Sequence, residues 1–312
     1  MTNLLHALSR RTMLAAIPLV PLAAKAATIP DRSGMLSVPG GKVWWRRLGD
    51  GPKPPLVLLH GGPGMGHDYL LPLGSLAQGR EIIFYDQLGC GRSDAPEEPQ
   101  LYTIEQFATR LEVLREALKL PRIVLYGHSW GGILAIEYLA SRKRLGVERL
   151  ILSNALASAR QANDGIFGLM SKMPGGERLV TLERGRDYGS PEYTTLANAF
   201  SDLHQCRADP KPPELEASIA NAMQSPCVSI MAGGGITITG NLKNWDRRAR
   251  LASFDMPTLI VTGEFDEIAR DCHETMRDAI PGARLAVMPG CSHLLMSEAP
   301  VAYNTLLRNF IG

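Results

Sequence analysis

Ser129 stands in Gly127-His128-Ser129-Trp130-Gly131-Gly132, a G-x-S-x-G run that follows the apolar stretch Arg122–Tyr126 and opens a helix-compatible one. That context, a strand before and a helix after, gives the motif meaning, because flanking glycines permit a sharp turn that exposes the hydroxyl. A serine hydroxyl is a weak nucleophile until a base takes its proton, and the base needs an acid to orient it. His293, in Pro289-Gly290-Cys291-Ser292-His293, follows the last apolar run and is the candidate base. Asp266, in Gly263-Glu264-Phe265-Asp266-Glu267, is the candidate acid, with Glu264 and Glu267 as neighbouring competitors. The other histidines read otherwise: His6 in a leader, His60 in a glycine loop, His128 beside the nucleophile, and His67, His204 and His273 as surface or packing residues.

Acyl transfer also places negative charge on the carbonyl oxygen, and a backbone N–H aimed at it is worth about 3 kcal/mol of barrier. Trp130 N–H follows the nucleophile and is one candidate donor. The second is Gly62 N–H in His60-Gly61-Gly62-Pro63-Gly64, where missing side chains let the backbone approach a substrate. Gly61 in the same loop is a candidate substrate contact.

These residues need strand ends to hold them. Gly34 to Arg47 followed by Pro55–Leu59 reads as a strand pair interrupted by the turn-rich Gly49-Asp50-Gly51-Pro52. The runs Glu81–Tyr85, Arg122–Tyr126, Pro257–Val261 and Arg284–Met288 read as further strands, with helix-period stretches at Ile104–Leu120 and Ala299–Phe310. Continuous apolar strands alternating with helices predict an α/β fold, a mostly parallel sheet covered on both faces. From 155 to 250 strand-like runs disappear, and helix-compatible pieces such as Pro191–Gln205 and Pro213–Met223 lie between Gly and Pro, predicting a helical cap. The expected organisation is a leader (1–26), a first core part (27–154), the cap (155–250) and a second core part (251–312).

The leader is read from Arg10-Arg11, the apolar run Met13–Ala24 and the small-x-small Ala24-Lys25-Ala26. The run is too short to span a bilayer, so the segment reads as a twin-arginine signal peptide cut after about Ala26, implying a periplasmic or secreted protein. Its loss removes three positive charges and no acid from a chain of formal charge +2, leaving the remainder near −1. With no basic stripe interleaved with aromatics, nucleic acid has no electrostatic support as a partner, and no membrane association is expected after cleavage. The five cysteines, Cys90, Cys206, Cys227, Cys272 and Cys291, have no metal-ligand spacing, and their odd number leaves at least one thiol unpaired within the chain. Cys206 with Cys227 is one pairing an oxidising compartment would allow. No cofactor or metal is expected. The sequence carries no signal for oligomeric state.

Together the glycine loop 60–64, Tyr85-Asp86-Gln87-Leu88-Gly89-Cys90-Gly91-Arg92-Ser93, the serine motif and Gly263–Glu267 resemble the prolyl aminopeptidase (proline iminopeptidase) family of the α/β-hydrolase fold. Gly240-Asn241-Leu242-Lys243-Asn244-Trp245-Asp246 and Cys291-Ser292-His293-Leu294 are also similar to its tricorn-interacting aminopeptidase branch. The resemblance spans essentially the whole chain after the leader. It implies a metal-free serine peptidase that removes an N-terminal residue, often proline, beneath a helical cap. It further implies two acidic residues holding the substrate's amino group, one of them matched by Glu267. The other falls where this chain reads Met231-Ala232-Gly233-Gly234-Gly235-Ile236, without a carboxylate. A buried ammonium needs a paired charge, so that departure opens a second reading, an amidase or small-ester hydrolase needing no free amine, unless Glu264 or Glu267 compensates for the missing carboxylate. A serine nucleophile argues against dehalogenase or epoxide-hydrolase chemistry, and the complete catalytic set argues against a fold kept only for binding. The expected partner is a small peptide, amide or ester substrate.

Overall fold

The computed structural model describes residues 29–141 and 146–312; the leader lies outside the described residues. In chain order the strands are β1 (Asp31–Val38), β2 (Gly41–Gly49), β3 (Leu56–Leu59), β4 (Glu81–Tyr85), β5 (Ile123–His128), β6 (Val147–Ser153), β7 (Thr258–Gly263) and β8 (Arg284–Met288). The helices are α1 (Ile104–Ala117), α2 (Trp130–Ser141), α3 (Ala159–Met170), α4 (Gly176–Gly185), α5 (Pro191–His204), α6 (Pro213–Gln224), α7 (Arg248–Leu251), α8 (Arg270–Ala279), α9 (Leu295–Glu298) and α10 (Pro300–Ile311).

The strands form one sheet in the order β1-β2-β4-β3-β5-β6-β7-β8. β1, β2 and β4 pair antiparallel, and every pairing from β4 through β8 is parallel. Alternation of side chains across the pleat explains why the central strands are apolar throughout. Leu56, Leu58, Ile82 and Phe84 pack on one face with Tyr303, Leu307 and Phe310 of α10. Val57, Leu59, Ile83 and Tyr85 pack on the other with Leu111 and Leu114 of α1 and Leu134 and Tyr138 of α2. Helices on both faces therefore leave the strand ends as the place where loops can converge.

One expectation is corrected, and one question the sequence left open is answered. The predicted strand pair is instead a hairpin within 31–49, turned at Pro39-Gly40, and β3 pairs with β4 and β5. Gly40, at φ 91°, adopts the left-handed backbone that the tight turn requires, whereas Gly49–Pro52 carries the chain across the sheet. All five cysteines are free and buried, and Cys227 lies 3.9 Å, sulfur to sulfur, from Cys90 rather than against Cys206. The reason is tertiary: Cys206 joins the α10 side of the core, Cys227 the opposite side.

Between β6 and β7 the chain contains α3 to α7 and a single π-turn at Val228–Ala232. Ser158 and Ser190 accept hydrogen bonds from Gln161 N–H and Tyr193 N–H at the starts of α3 and α5, satisfying amides that the first turn leaves unpaired. Among the described residues no helix is long and apolar enough to cross a membrane.

Candidate active site

Ser129 occupies the turn between β5 and α2 at φ 54°, left-handed backbone that a non-glycine residue adopts only under constraint. The constraint is visible in its neighbours. A Cβ on Gly131 would lie 2.0 Å from the carbonyl oxygen of Leu59, and one on Gly127 would lie 2.3 Å from that of Gly131. Ser129 N–H donates to Ser153 O at 2.9 Å, pinning the turn to the end of β6. The glycines thus let the helix start so close to β3 that the serine stands proud of the sheet.

His293 Nδ1–H donates to Asp266 Oδ1 at 2.6 Å, which leaves Nε2 as the ring atom available for proton exchange. Asp266 is buried at the end of the loop after β7. Its Oδ2 accepts from Asn154 Nδ2 and Thr262 Oγ1, each at 2.8 Å, and its Oδ1 accepts from Ile268 N–H at 3.0 Å. Burial would raise its pKa, but attraction and hydrogen bonding from His293 outweigh that and hold the carboxyl below its usual range. Burial disfavours the His293 imidazolium, yet the carboxylates of Asp266 and Glu267 prevail and push its pKa up to about 9.

The glycine loop and the serine turn are joined by two polar chains. Gln87 N–H donates to His60 Nε2 at 3.1 Å, so His60 Nδ1 carries the proton and donates to Gly61 O at 2.9 Å. Gln87 Nε2 donates to His60 O, and its Oε1 accepts from Trp130 Nε1 at 2.8 Å. In the second chain Gly61 N–H donates to Tyr69 Oη at 2.6 Å, Tyr69 O–H donates to His128 Nδ1 at 2.8 Å, and His128 Nε2–H donates to His293 O at 2.9 Å. Burial drives His128 down to about 3, so it remains the neutral relay this pattern needs. These bonds engage Gly61 N–H, whereas Gly62 N–H and Trp130 N–H, the latter in the first turn of α2, have no backbone carbonyl partner among the described residues.

Ser129, Trp130, Gly62, His293 and Glu267 line one cavity of about 420 Å³, whose remaining wall is mostly aliphatic. Glu267 Oε1 lies 3.4 Å from His293 Nε2, and Gln205 Nε2 donates to its Oε2 at 2.7 Å. Burial raises the Glu267 pKa. Two predicted substrate contacts fall elsewhere. Glu264 is exposed, accepts from Gly290 N–H at 2.9 Å and does not line the cavity, because the loop turns its side chain toward β8. Gly61 is buried behind the loop, where a Cβ would meet His128 Nδ1 at 2.9 Å and Ser129 Cβ at 3.1 Å. Among the described residues no group of three or more His, Cys, Asp or Glu side chains is arranged to hold a metal ion.

Residues 54–300 match the α/β hydrolase fold family. A proline iminopeptidase of Thermoplasma volcanium is 36% identical over 264 residues, covering 83% of this chain and 89% of that protein. The chain belongs to the proline iminopeptidase family of α/β hydrolases. Among solved structures, a proline iminopeptidase of Mycobacterium smegmatis superposes with a TM-score of 0.82 at 30% identity, covering 90% of this chain and 97% of the other. VinJ superposes with a TM-score of 0.85 at 31% identity, covering 90% and 98%.

Several residues of this family member's site were not legible in its sequence. Asn154, at φ 49°, bridges Asp266 and Ser292 O; an Asn directly after a strand was the available signal. His273, expected as surface or packing, is fully buried on α8, with Nε2 3.4 Å from Asp266 Oδ2. Glu183 on α4 is buried and accepts from Thr237 N–H at 2.9 Å, Ile236 N–H at 3.3 Å, Thr237 Oγ1 and Tyr193 Oη. It thereby holds the glycine-rich segment 233–238, which lines the cavity where the family resemblance led us to expect a second acid.

Proposed function

We propose that the protein removes a small N-terminal residue, proline or alanine in type, from a peptide by acyl transfer to Ser129. The observation that carries this reading is one imidazole between two carboxylates: His293 holds Asp266 through Nδ1 and faces Glu267 through Nε2 inside the cavity that Ser129 lines. Asp266 orients the base, and Glu267 supplies the negative charge that a substrate ammonium needs in a desolvated site.

Ser129 Oγ attacks the carbonyl carbon as His293 Nε2 takes its proton, and the oxyanion is received by Gly62 N–H and Trp130 N–H. His293 then returns the proton to the leaving amine. Water, activated by the same nitrogen, releases the acyl group from Ser129. The absence of a carboxylate in segment 233–238 favours a second reading, hydrolysis of amides or esters lacking a free amine.

Steady-state hydrolysis of Pro- and Ala-p-nitroanilide, their N-acetylated forms and a short p-nitrophenyl ester separates the two. Turnover confined to free-amine anilides, with Ser129→Ala lowering kcat by about 10⁴-fold or more, is the expected result. Dominant turnover of blocked substrates or esters would establish the second reading, and undiminished activity in Ser129→Ala would remove both.

Export belongs to the same proposal. The twin arginine, apolar run and Ala24-Lys25-Ala26 support delivery of a folded protein to the periplasm. Replacing Arg10 and Arg11 together by Lys should retain the uncleaved protein in the cytoplasm, read by cell fractionation. Unchanged fractionation would refute it.

A further inference from the structure

The chemistry at Ser129 does not fix which residues follow the scissile bond, and α6 bears on them. Leu215, Ile219 and Met223 recur every four residues along one side of this helix, and all three line the catalytic cavity. Their exposure rises in order, 0%, 40% and 84%, so the stripe runs from the cavity floor out to solvent. At 1.5 Å per residue it is about 12 Å long, the reach of roughly three residues of extended peptide.

The stripe is a fixed wall. Ser218 Oγ accepts from Tyr69 N–H at 3.0 Å, and Asn221 Nδ2 donates to Met65 O at 3.3 Å and Asp68 Oδ2 at 3.2 Å. These bonds tie α6 to the segment whose Tyr69 supports Gly61 and His128. Outside the mouth the wall continues: Ala222, Met223 and Val228 also line a surface groove of about 520 Å³. Pro96, Glu97, Ser225 and Ser229 also line it. The lining is thus apolar along Ile219 and Met223 and mixed beyond them, where Pro96, Pro226 and Val228 stand among Glu97, Ser225 and Ser229. An apolar track that leads from solvent into the cavity Ser129 lines is a place for apolar substrate to be buried.

We infer that the leaving group is a peptide whose first two residues are apolar, laid along Ile219 and Met223 as it passes from the cavity to the groove. The inference rests on the hydrolase reading above and narrows its substrates from peptides in general to those with two apolar residues after the scissile bond.

The test compares Pro-Leu-Leu-amide with Pro-Ser-Ser-amide, each free and N-acetylated, in wild type, Ile219→Ser, Met223→Ser and Met223→Leu. The expected kcat/KM ratio favours the Leu-Leu peptide roughly tenfold or more in wild type, falls to within about threefold in both Ser variants, and is kept by Met223→Leu. A wild-type ratio within threefold, or a ratio the Ser variants preserve, overturns the inference. Hydrolysis of only the acetylated series removes the aminopeptidase reading while the ratio in that series still decides the track. Hydrolysis of neither series removes both.

Discussion

At the scale of single residues, the pairing of His293 with two carboxylates governs the response to pH. In the proposed mechanism only neutral His293 accepts the Ser129 proton, and its pKa is raised to about 9 by Asp266 and Glu267 against the opposing effect of burial. kcat/KM should therefore climb as pH rises toward that value. Glu267→Gln removes one of the charges that stabilise the imidazolium, so the limb moves to lower pH, by roughly one pH unit. On the proposed mechanism the same change also removes the partner of the substrate ammonium, so KM for free-amine substrates should rise. A pH profile of Glu267→Gln on an N-acetylated or ester substrate reads the first effect without the second, and an unmoved limb would show that Glu267 does not act on His293. A substrate ammonium at Glu267 acts in the same direction, so in wild type the kcat limb should lie below that of kcat/KM.

At the scale of elements, the cavity wall opposite the sheet depends on Glu183. Its carboxylate collects hydrogen bonds from Ile236, Thr237 and Tyr193 and is fully buried. Glu183→Ala leaves two backbone amides and two hydroxyls without that partner, at a loss of about 2–4 kcal/mol, and loosens segment 233–238. The expected result is a lower denaturation midpoint with a raised KM, partly restored in Glu183→Gln, which keeps an acceptor oxygen. A KM equal to wild type in Glu183→Ala would show that the segment does not shape substrate binding. The serine turn is built differently, from space rather than from polar bonds, since Gly127 and Gly131 sit where any side chain would strike backbone.

At the scale of the whole molecule, residues from the ends of β3, β5, β6, β7 and β8 meet at one rim of the sheet. The parallel order puts Gly62, Ser129, Asn154, Asp266 and His293 there together. The cysteines show the opposite case, five unbonded thiols buried in the core or cap, of which Cys90 and Cys227 lie against each other. A thiol reagent should modify the native protein slowly and all five positions after denaturation, and a reductant should leave the denaturation midpoint unchanged. Rapid loss of thiols in the native state, or a midpoint lowered by reductant, would contradict this arrangement.

The chemistry was legible in the sequence because it is written in short local patterns. A serine between glycines, a glycine loop after a strand, and an acid and a histidine after later strands each announce a strand-end loop, and parallel order brings such loops to one side. The alternation of apolar runs and helix-period stretches likewise determined the α/β architecture, since strands covered on both faces have no polar alternation to show. Tertiary structure decided what depends on contacts far apart in the chain. Asn154 reaches Asp266 across 112 positions, and Glu183 reaches segment 233–238 from a separate helix. Glu267 was separated from Glu264 by the direction of one turn. The hairpin at 31–49, and the placement of Cys227 against Cys90 rather than Cys206, turned on which surfaces pack together. Local spacing carries no record of that, because packing is settled by the shape and burial of the assembled core.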